Sequence, residues 1–405
     1  MNVEVLPSRA FGEILAPVSK SFAHRLLICA ALSGGTSKIE NLKLNDDILA
    51  TVECLKCLGA EISITDSTAV VKGISVFQEK DELHLHCNES GSTLRFLIPL
   101  SMLLSRKVIF TGSGRLMERP QDVYINLFKE KLCSLNFENK TLVAQGNLAS
   151  GIYEIRGDVS SQFITGLLLA LPLLEGDSKL VITTPLQSKP YVDITIETLK
   201  LFGVEIFEEN ASCFYIKGNQ RYVPCDVTVE GDWSNAAFLD AFNLISKGVT
   251  VTGLNNQSAQ GDKAYKKFYE LLKEGYSEID ISQCPDLGPV LIIAAVLCNG
   301  ARFTGTKRLS IKESDRAAVM KDELKKFGVK ITVEEDEIIV PGCTFSKPEE
   351  IICCHNDHRI AMAFTVLCSV TGGVLSGAQC VNKSYPHFWE DIKSLGVNLI
   401  MKGND

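Results

Sequence analysis

Leu55-Lys-Cys-Leu-Gly-Ala-Glu-Ile62 recurs along the chain as Leu199-Lys-Leu-Phe-Gly-Val-Glu-Ile206, Leu324-Lys-Lys-Phe-Gly-Val-Lys-Ile331 and Ile392-Lys-Ser-Leu-Gly-Val-Asn-Leu399. In each copy an apolar helical pattern runs into a glycine and then into a β-type run. Glycine just past a helix end takes the left-handed backbone that closes the helix at no steric cost. Weaker copies are expected at 132–137, with Asn136 in the glycine's place, and at 271–279 around Gly275. Each copy follows a second helical segment that is apolar nearly all round, at 26–32, 96–104, 163–174, 236–245, 290–298 and 360–370. A helix without a polar face must be buried on all sides. Each repeat therefore pairs one buried and one amphipathic helix, with strands between them.

Six such repeats account for 405 residues, a length at which one core usually gives way to two. A solenoid has no need of fully buried helices flanked by short strands. The expected class is α/β (α+β), in two compact domains of three repeats each.

The composition is that of an ordinary soluble enzyme, with 45% hydrophobic and 22% charged residues. The longest apolar run, 289–298, is too short to cross a bilayer, and the first residues carry no signal-peptide pattern. The expected location is the cytoplasm. Fourteen cysteines raise the question of metal or disulfides, but Cys29, Cys54, Cys57, Cys133, Cys298 and Cys368 fall in apolar helical patterns, where free cysteine acts as a small hydrophobe. Cys54/Cys57 and Cys353/Cys354 lack partners at zinc spacing, so no metal is expected. A net charge of −8 disfavours general nucleic-acid binding, yet leaves room for a small anion where basic residues converge.

The helix starts collect polar residues. Buried helices are expected to begin at Ser19-Lys20-Ser21, Ser90-Gly91-Ser92-Thr93, Ser160-Ser161-Gln162, Glu230-Gly231-Asp232, Pro285-Asp286 and Asn356-Asp357-His358-Arg359. Amphipathic helices are expected to begin at Asn45-Asp46-Asp47, Glu118-Arg119-Pro120, Ser188-Lys189-Pro190, Gln260-Gly261-Asp262, Lys312-Glu313-Ser314-Asp315-Arg316 and Lys383-Ser384-Tyr385-Pro386. Many of these residues, Asp46 and Asp47 among them, read simply as N-caps, and His358 as a capping histidine. His84 and His86 alternate on a strand and read as structural. Capping does not explain Lys20, Arg25, Arg119, Lys312, Arg316, Arg359 and Lys383, because a cation at a helix N-terminus opposes the macrodipole. An anion lying between helix end and cation removes the conflict.

Pro17-Val18-Ser19-Lys20-Ser21-Phe22-Ala23-His24-Arg25 resembles the opening motif of the 5-enolpyruvylshikimate-3-phosphate synthase family. The resemblance continues, in the family's order, through Ser90 to Arg95, Glu118-Arg119-Pro120, Ser160 to Phe163, Ser188 to Tyr191, Lys312 to Arg316, Asn356 to Arg359 and Lys383 to Pro386. It implies an inverse α/β barrel fold of two domains, each of three β-α-β-α-β-β repeats. Residues 19–228 would form an inserted domain, 1–18 with 229–405 the other, and the active site would lie in the cleft between them. By resemblance, shikimate-3-phosphate meets Lys20, Ser21, Arg25, Ser160, Ser161, Gln162, Ser188, Tyr191, Asp286 and Lys312. Phosphoenolpyruvate meets Lys20, Gly91, Arg119, Gln162, Arg316, Arg359 and Lys383. The implied chemistry is enolpyruvyl transfer by addition and elimination, with Asp286 as base, Glu313 handling the methyl proton and Lys20 a second proton carrier. No cofactor and no metal are implied, and a monomer is. Glu89 stands where many members carry asparagine, which puts sensitivity to the herbicide glyphosate in question. Alone, the charges from Lys312 to Arg316 also read as a solvated helix start.

Other readings compete. The enolpyruvyl transferase acting on a UDP-linked amino sugar shares the fold but uses a loop cysteine, and the segment from Thr111 to Pro120 contains none. A catalytically silent binding protein would have lost cations or carboxylates that are present here. A nucleic-acid-binding α/β repeat protein would need a basic face.

Overall fold

The structure is a computed structural model describing residues 1–74, 81–103, 107–129, 131 and 133–402; Leu104 and Leu132, named above, lie outside the described residues. The chain forms two compact units, Val18–Glu230 and Met1–Pro17 with Gly231–Asp405.

The unit Val18–Glu230 contains three modules. In the first, α1 (Lys20–Leu32) and α2 (Asp46–Leu58) alternate with the strands Val227–Thr228 and Thr36–Glu40 and the hairpin Glu61–Thr65/Thr68–Lys72. The second carries Leu83–His86, α3 (Gly91–Ser101), Lys107–Thr111, α4 (Asp122–Lys129) and the hairpin Cys133–Glu138/Thr141–Gly146. The third carries Ile152–Ile155, α5 (Ser161–Ala170), Ser178–Ile182, α6 (Lys189–Leu201) and Phe207–Asn210/Cys213–Ile216. In all three sheets the first two strands are parallel and the last strand of the hairpin pairs antiparallel with the second.

The other unit repeats this plan twice in full. One module holds Ser277–Asp280, α9 (Gly288–Leu297), Ala301–Thr304, α10 (Arg316–Lys325) and Thr332–Val333/Glu337–Val340. Another holds Ile352–Cys353, α11 (His358–Thr371), Gly373–Ser376, α12 (Phe388–Ser394) and Leu399–Lys402, with the N-terminal strand Asn2–Val5 supplying its last strand. The sixth module corrects the expectation of six equal repeats. Its sheet has only Gly12–Leu15 and Val249–Thr252, with α7 (Trp233–Asp240) and α8 (Tyr265–Glu274), and α8 runs straight into the next module without a hairpin. The six sheets are separate, and none closes into a barrel among the described residues.

The glycine caps explain which copies were clear. Gly59, Gly203, Gly328 and Gly396 all have positive φ, at 113°, 75°, 81° and 87°. The two weak copies differ: Gly275 has extended backbone, with φ 163°, and Asn136 lies inside a strand opposite Val143. Cys133 likewise opens a strand rather than lying on a helix. The buried helices are as apolar in surroundings as in sequence, since α9 is buried from Gly288 to Val296 and α11 from His358 to Ser369. Each fully buried Leu, Ile or Val there contributes about 1.5–3 kcal/mol. The amphipathic α8 buries only Tyr265, Tyr269 and Leu272, one stripe at helical spacing.

A Cβ at Gly328 or at Gly275 would meet nothing within 4 Å, so only backbone separates the two. Gly328→Ala is expected to lower stability by about 1 kcal/mol through its left-handed φ, whereas Gly275→Ala is expected to be neutral or slightly stabilising. Denaturation midpoints of both variants check this.

Candidate functional site

Each unit gathers its polar helix starts into one cluster. In Val18–Glu230, hydroxyls cap three buried helices: Ser19 accepts from Phe22 N–H, Ser90 from Thr93 N–H and Ser160 from Gln162 N–H. Those caps leave other N–H groups of each first turn unspent, a ready anion site. Lys20, the first residue of α1, sends Nζ to Asp47 Oδ2 at 2.8 Å. Lys20 is therefore paired with a carboxylate, and Asp47 is no cap, since Asn45 caps α2.

Arg25 is buried and stitches α1 to α5 and α6. It donates to Ser21 O at 2.7 Å, Thr195 Oγ1 at 2.8 Å, Tyr191 O at 2.9 Å and Thr165 Oγ1 at 3.3 Å. Four of its five N–H groups are thus spent on the protein, leaving one for a ligand. Burial pulls its pKa down to about 10, which still leaves it charged at neutral pH. Arg95, buried on α3, donates to Gln162 Oε1 at 2.8 Å and to Pro120 O at 2.9 Å, while Gln162 Nε2 donates to Ser92 Oγ at 3.0 Å. Gln162 is held from both ends of its amide, with Ser161 beside it in the first turn of α5.

Arg119 behaves differently. Its guanidinium lies on Gly91, where an added Cβ would come within 2.6 Å of Nη1. Its Nε is buried without a hydrogen-bond partner, and the side chain forms no ion pair among the described residues. A half-buried guanidinium without an anionic partner, lying against a helix N-terminus, is a ready place for an anion. Ser188 precedes α6 with φ 56° and ψ 40° and caps it with no side-chain hydrogen bond. A non-glycine residue in that region costs about 1–3 kcal/mol and is held there by its surroundings. The Glu89 carboxyl packs where a Cβ on Gly114 would sit, 2.6 Å away.

In the other unit a single carboxylate faces three cations. Asp286 Oδ1 lies 3.0 Å from Arg316 and 3.1 Å from Lys312, and Oδ2 lies 3.0 Å from Arg359. Burial pushes this carboxyl up, but Arg359, Lys312 and Arg316 outweigh it and hold the pKa well below the usual range. Lys312 is pulled down to about 8 by burial; Asp286 opposes the fall, and Arg316 and Arg308 add to it. Arg316 is almost wholly buried and also holds Asp357 at 2.8 Å and Glu313 at 2.6 Å. Burial lowers the pKa of Arg316, yet Asp357, Glu313 and Asp286 raise it on balance. Arg359 donates a further bond to Ser234 Oγ at 2.8 Å, and Lys383 Nζ donates to Asn356 O at 2.6 Å.

Several expected helix starts need correction. Gly261–Ala264 is a 3-10 turn ahead of α8, and Arg119 follows the 3-10 turn Leu116–Glu118, with α4 beginning only at Asp122. Asp286 sits in a 3-10 turn, Pro285–Leu287, ahead of α9. Lys383 ends the 3-10 turn Ala378–Lys383, with α12 beginning only at Phe388. Asp357, not His358, caps α11. Asp357 also stands behind the cations, as a residue flanking the site rather than only a cap: besides capping Arg359 N–H, it takes Arg316 and Ser314 Oγ. Its signal, a cap residue preceding a wholly apolar helix, is shared with ordinary caps.

The model of the family described as EPSP synthase (3-phosphoshikimate 1-carboxyvinyltransferase) matches residues 6–392. The chain is 44% identical to the 3-phosphoshikimate 1-carboxyvinyltransferase of Clostridium kluyveri, covering 98% of each chain. It is 40% identical to the protein of that name from Clostridium beijerinckii, over 98% of this chain and 97% of that one. Among solved structures, EPSP synthase from Acinetobacter baumannii superposes with a TM-score of 0.79 at 23% identity, over 98% of this chain and 99% of that one. The enolpyruvyl transferase NikO from Streptomyces tendae has the same TM-score at 15% identity, over 98% of both chains. Both structures share the fold.

Removing Asp357 takes a buried partner from a buried guanidinium together with a helix cap. Asp357→Ala is expected to cost about 3 kcal/mol. Lys56→Ala, at the solvent-exposed pair with Glu53, is expected to leave the denaturation midpoint unchanged.

Proposed function

The chain belongs to the EPSP synthase family, and from that premise we propose that both clusters serve one reaction: transfer of the enolpyruvyl group of phosphoenolpyruvate to the 5-hydroxyl of shikimate-3-phosphate, with release of phosphate. The observation that carries the residue assignment is Arg119, an unpaired guanidinium lying on the N-terminus of α3. Phosphoenolpyruvate brings the carboxylate and phosphate that such a group lacks. Gly91, Lys20 and Gln162 complete its place on this side; Arg316, Arg359 and Lys383 supply cations from the other unit. Shikimate-3-phosphate is assigned to Ser21, Ser160, Ser161, Gln162, Ser188, Tyr191 and the last N–H of Arg25, with Asp286 and Lys312 reaching its ring hydroxyls.

In the addition step the 5-oxygen bonds to C2 of phosphoenolpyruvate and loses its proton to a base, while C3 gains a proton. In the elimination step C3 gives a proton back and the C2–phosphate bond breaks, leaving the enol ether and inorganic phosphate. Asp286 is assigned as the base. With Arg359, Lys312 and Arg316 around it, its carboxylate is too weak a base for that work. An incoming phosphate competes for the same three cations, and as they turn to it the Asp286 pKa rises toward the working range. The ligand's own charge thereby activates the base. Glu313, fixed by Arg316 at 2.6 Å, is assigned to the methyl proton, with Lys20 as the second carrier. We place the protein in the cytoplasm as a monomer; no helix among the described residues is long and apolar enough to cross a membrane.

Phosphate release on mixing the protein with both substrates, with and without a chelator, tests the assignment. Asp286→Asn and Glu313→Gln are each expected to lower kcat by about 100-fold to 10,000-fold. Near-normal turnover in both would remove the acid–base assignment. The free-enzyme pKa of Lys312 sets a second expectation. The ammonium loses its charge as pH rises through about 8, so kcat/KM for shikimate-3-phosphate should fall above that pH. Lys312→Arg, charged throughout, should carry the plateau to higher pH.

A further inference from the structure

A buried chain of hydroxyls joins α1 to the start of α3, and nothing in the reaction above uses it. His24 lies one turn beyond Lys20 on α1, and Thr51 one turn beyond Asp47 on α2. The Lys20–Asp47 ion pair is thus followed, one turn deeper, by a 2.7 Å hydrogen bond between His24 Nδ1 and Thr51 Oγ1. Thr51 Oγ1 lies 2.7 Å from Thr93 Oγ1, and Thr93 Oγ1 donates to Ser90 Oγ at 2.7 Å. All four residues are buried, and Ser90 is the N-cap of α3.

The protons in this chain can be counted. A hydroxyl has one proton to give. Thr93 and Thr51 each also approach Asp47 O, at 3.5 and 3.4 Å, but their 2.7 Å contacts are the stronger bonds: the Thr93 proton goes to Ser90, and the proton between Thr51 and Thr93 then comes from Thr51. The proton between His24 and Thr51 then belongs to Nδ1. The remaining ring nitrogen, Nε2, is buried without a hydrogen-bond partner. Under this count it carries only a lone pair, and an unmet buried acceptor is less rare than an unmet buried N–H. Burial, then Lys20 and Arg25, hold the His24 pKa well below its usual value, so the ring is neutral and has one N–H to place.

We infer that His24 is a positioning residue: as the Nδ1–H tautomer it starts a one-way relay through Thr51 and Thr93 that fixes Ser90, and with it the first N–H groups of α3. The inference rests on the assignment of phosphoenolpyruvate to Gly91 and Arg119. A first turn held by the relay is ready before the ligand arrives, so losing the relay charges the ordering of that turn to phosphoenolpyruvate binding. Shikimate-3-phosphate, assigned to the first turns of α1, α5 and α6 and not to that of α3, is spared.

Two measurements test this. Long-range proton–nitrogen NMR correlations on the intact wild-type protein read the tautomer of His24 directly; the relay requires Nδ1–H, and an Nε2–H ring overturns it. Steady-state kinetics then compare His24→Leu, which removes the donor, with His24→Asn, whose amide nitrogen can stand close to the place of Nδ1 and which discards the unmet Nε2. His24→Leu should raise KM for phosphoenolpyruvate about threefold to tenfold, with KM for shikimate-3-phosphate and kcat changed by less than about twofold. His24→Asn should restore the wild-type value, and Thr51→Val should repeat the Leu result if His24→Leu does not fold. Equal rises in both KM values, an unmoved KM for phosphoenolpyruvate, or no rescue by asparagine would each overturn the positioning role. Arg119→Ala separates this from the assignment beneath it. If that variant leaves KM for phosphoenolpyruvate unchanged, the ligand's place is wrong and the kinetic half of the inference falls with it, while the tautomer stands or falls by NMR alone.

Discussion

Asp286 and the three cations around it are the interaction on which the functional half of the structure depends. Two guanidiniums and an ammonium brought within about 3 Å of one carboxylate would repel one another strongly were that carboxylate absent. Their side chains come from separate elements: Lys312 from the loop before α10, Arg316 from its first turn and Arg359 from the first turn of α11. Asp286 lets these elements meet without a ligand. It also makes the cluster responsive, because a competing anion need only exchange with a carboxylate already in place. Asp357 and Glu313 do the same work behind Arg316, so the guanidinium keeps partners whichever way Asp286 turns.

The unit Val18–Glu230 solves the same electrostatic problem by other means. Lys20 has Asp47, while Arg25 and Arg95 are neutralised less by carboxylates than by carbonyls, hydroxyls and aromatic faces, Phe96 under Arg25 at 4.9 Å and Phe163 under Arg95 at 4.6 Å. Spent in this way, their donors tie first turns together: α1 to α5 and α6 through Arg25, α3 to α5 through Arg95 and Gln162. Arg119 is left over. The contrast divides the cations that build the site from Arg119, which has no anionic partner among the described residues, a distinction residue type alone does not carry.

This division marks what was legible in the sequence. The repeat was, because a left-handed glycine leaves a signature that few other residues can mimic, and Gly59, Gly203, Gly328 and Gly396 all use it. The missing hairpin after α8 was not: Leu271 to Ile279 still has an amphipathic helix, a glycine and an apolar run, and only the pairing of Ser277–Asp280 with Ala301–Thr304 shows that the following strand belongs to the next module. In the site, the residue types at the helix starts were legible and their pairings were not. Asp47 and Asp357 resemble caps because Asp is a good cap. Their partners, Lys20 and Arg316, lie 27 and 41 positions away in sequence, where no local rule reaches.

The same limit explains why the hydroxyl chain from His24 to Ser90 left so faint a trace. Its members are spaced as ordinary buried helix residues, and Thr51 and Thr93 fit an apolar face nearly as well as valine does. Such a chain acts only when every link is satisfied, since a half-satisfied buried polar network is worse than an apolar core. Here one atom, His24 Nε2, remains unmet. Keeping a ring with an unmet nitrogen where leucine would pack costs stability unless the ring returns something; its edge contact with Phe96 returns apolar packing that leucine would also supply, and the hydrogen bond at Nδ1 returns order toward the cap of α3. The cost at Nε2 and the order imposed on Ser90 are two ends of one arrangement, as the strain at Ser188 and the crowding at Asp286 are elsewhere: stability given up locally so that charged first turns stand ready for an anion.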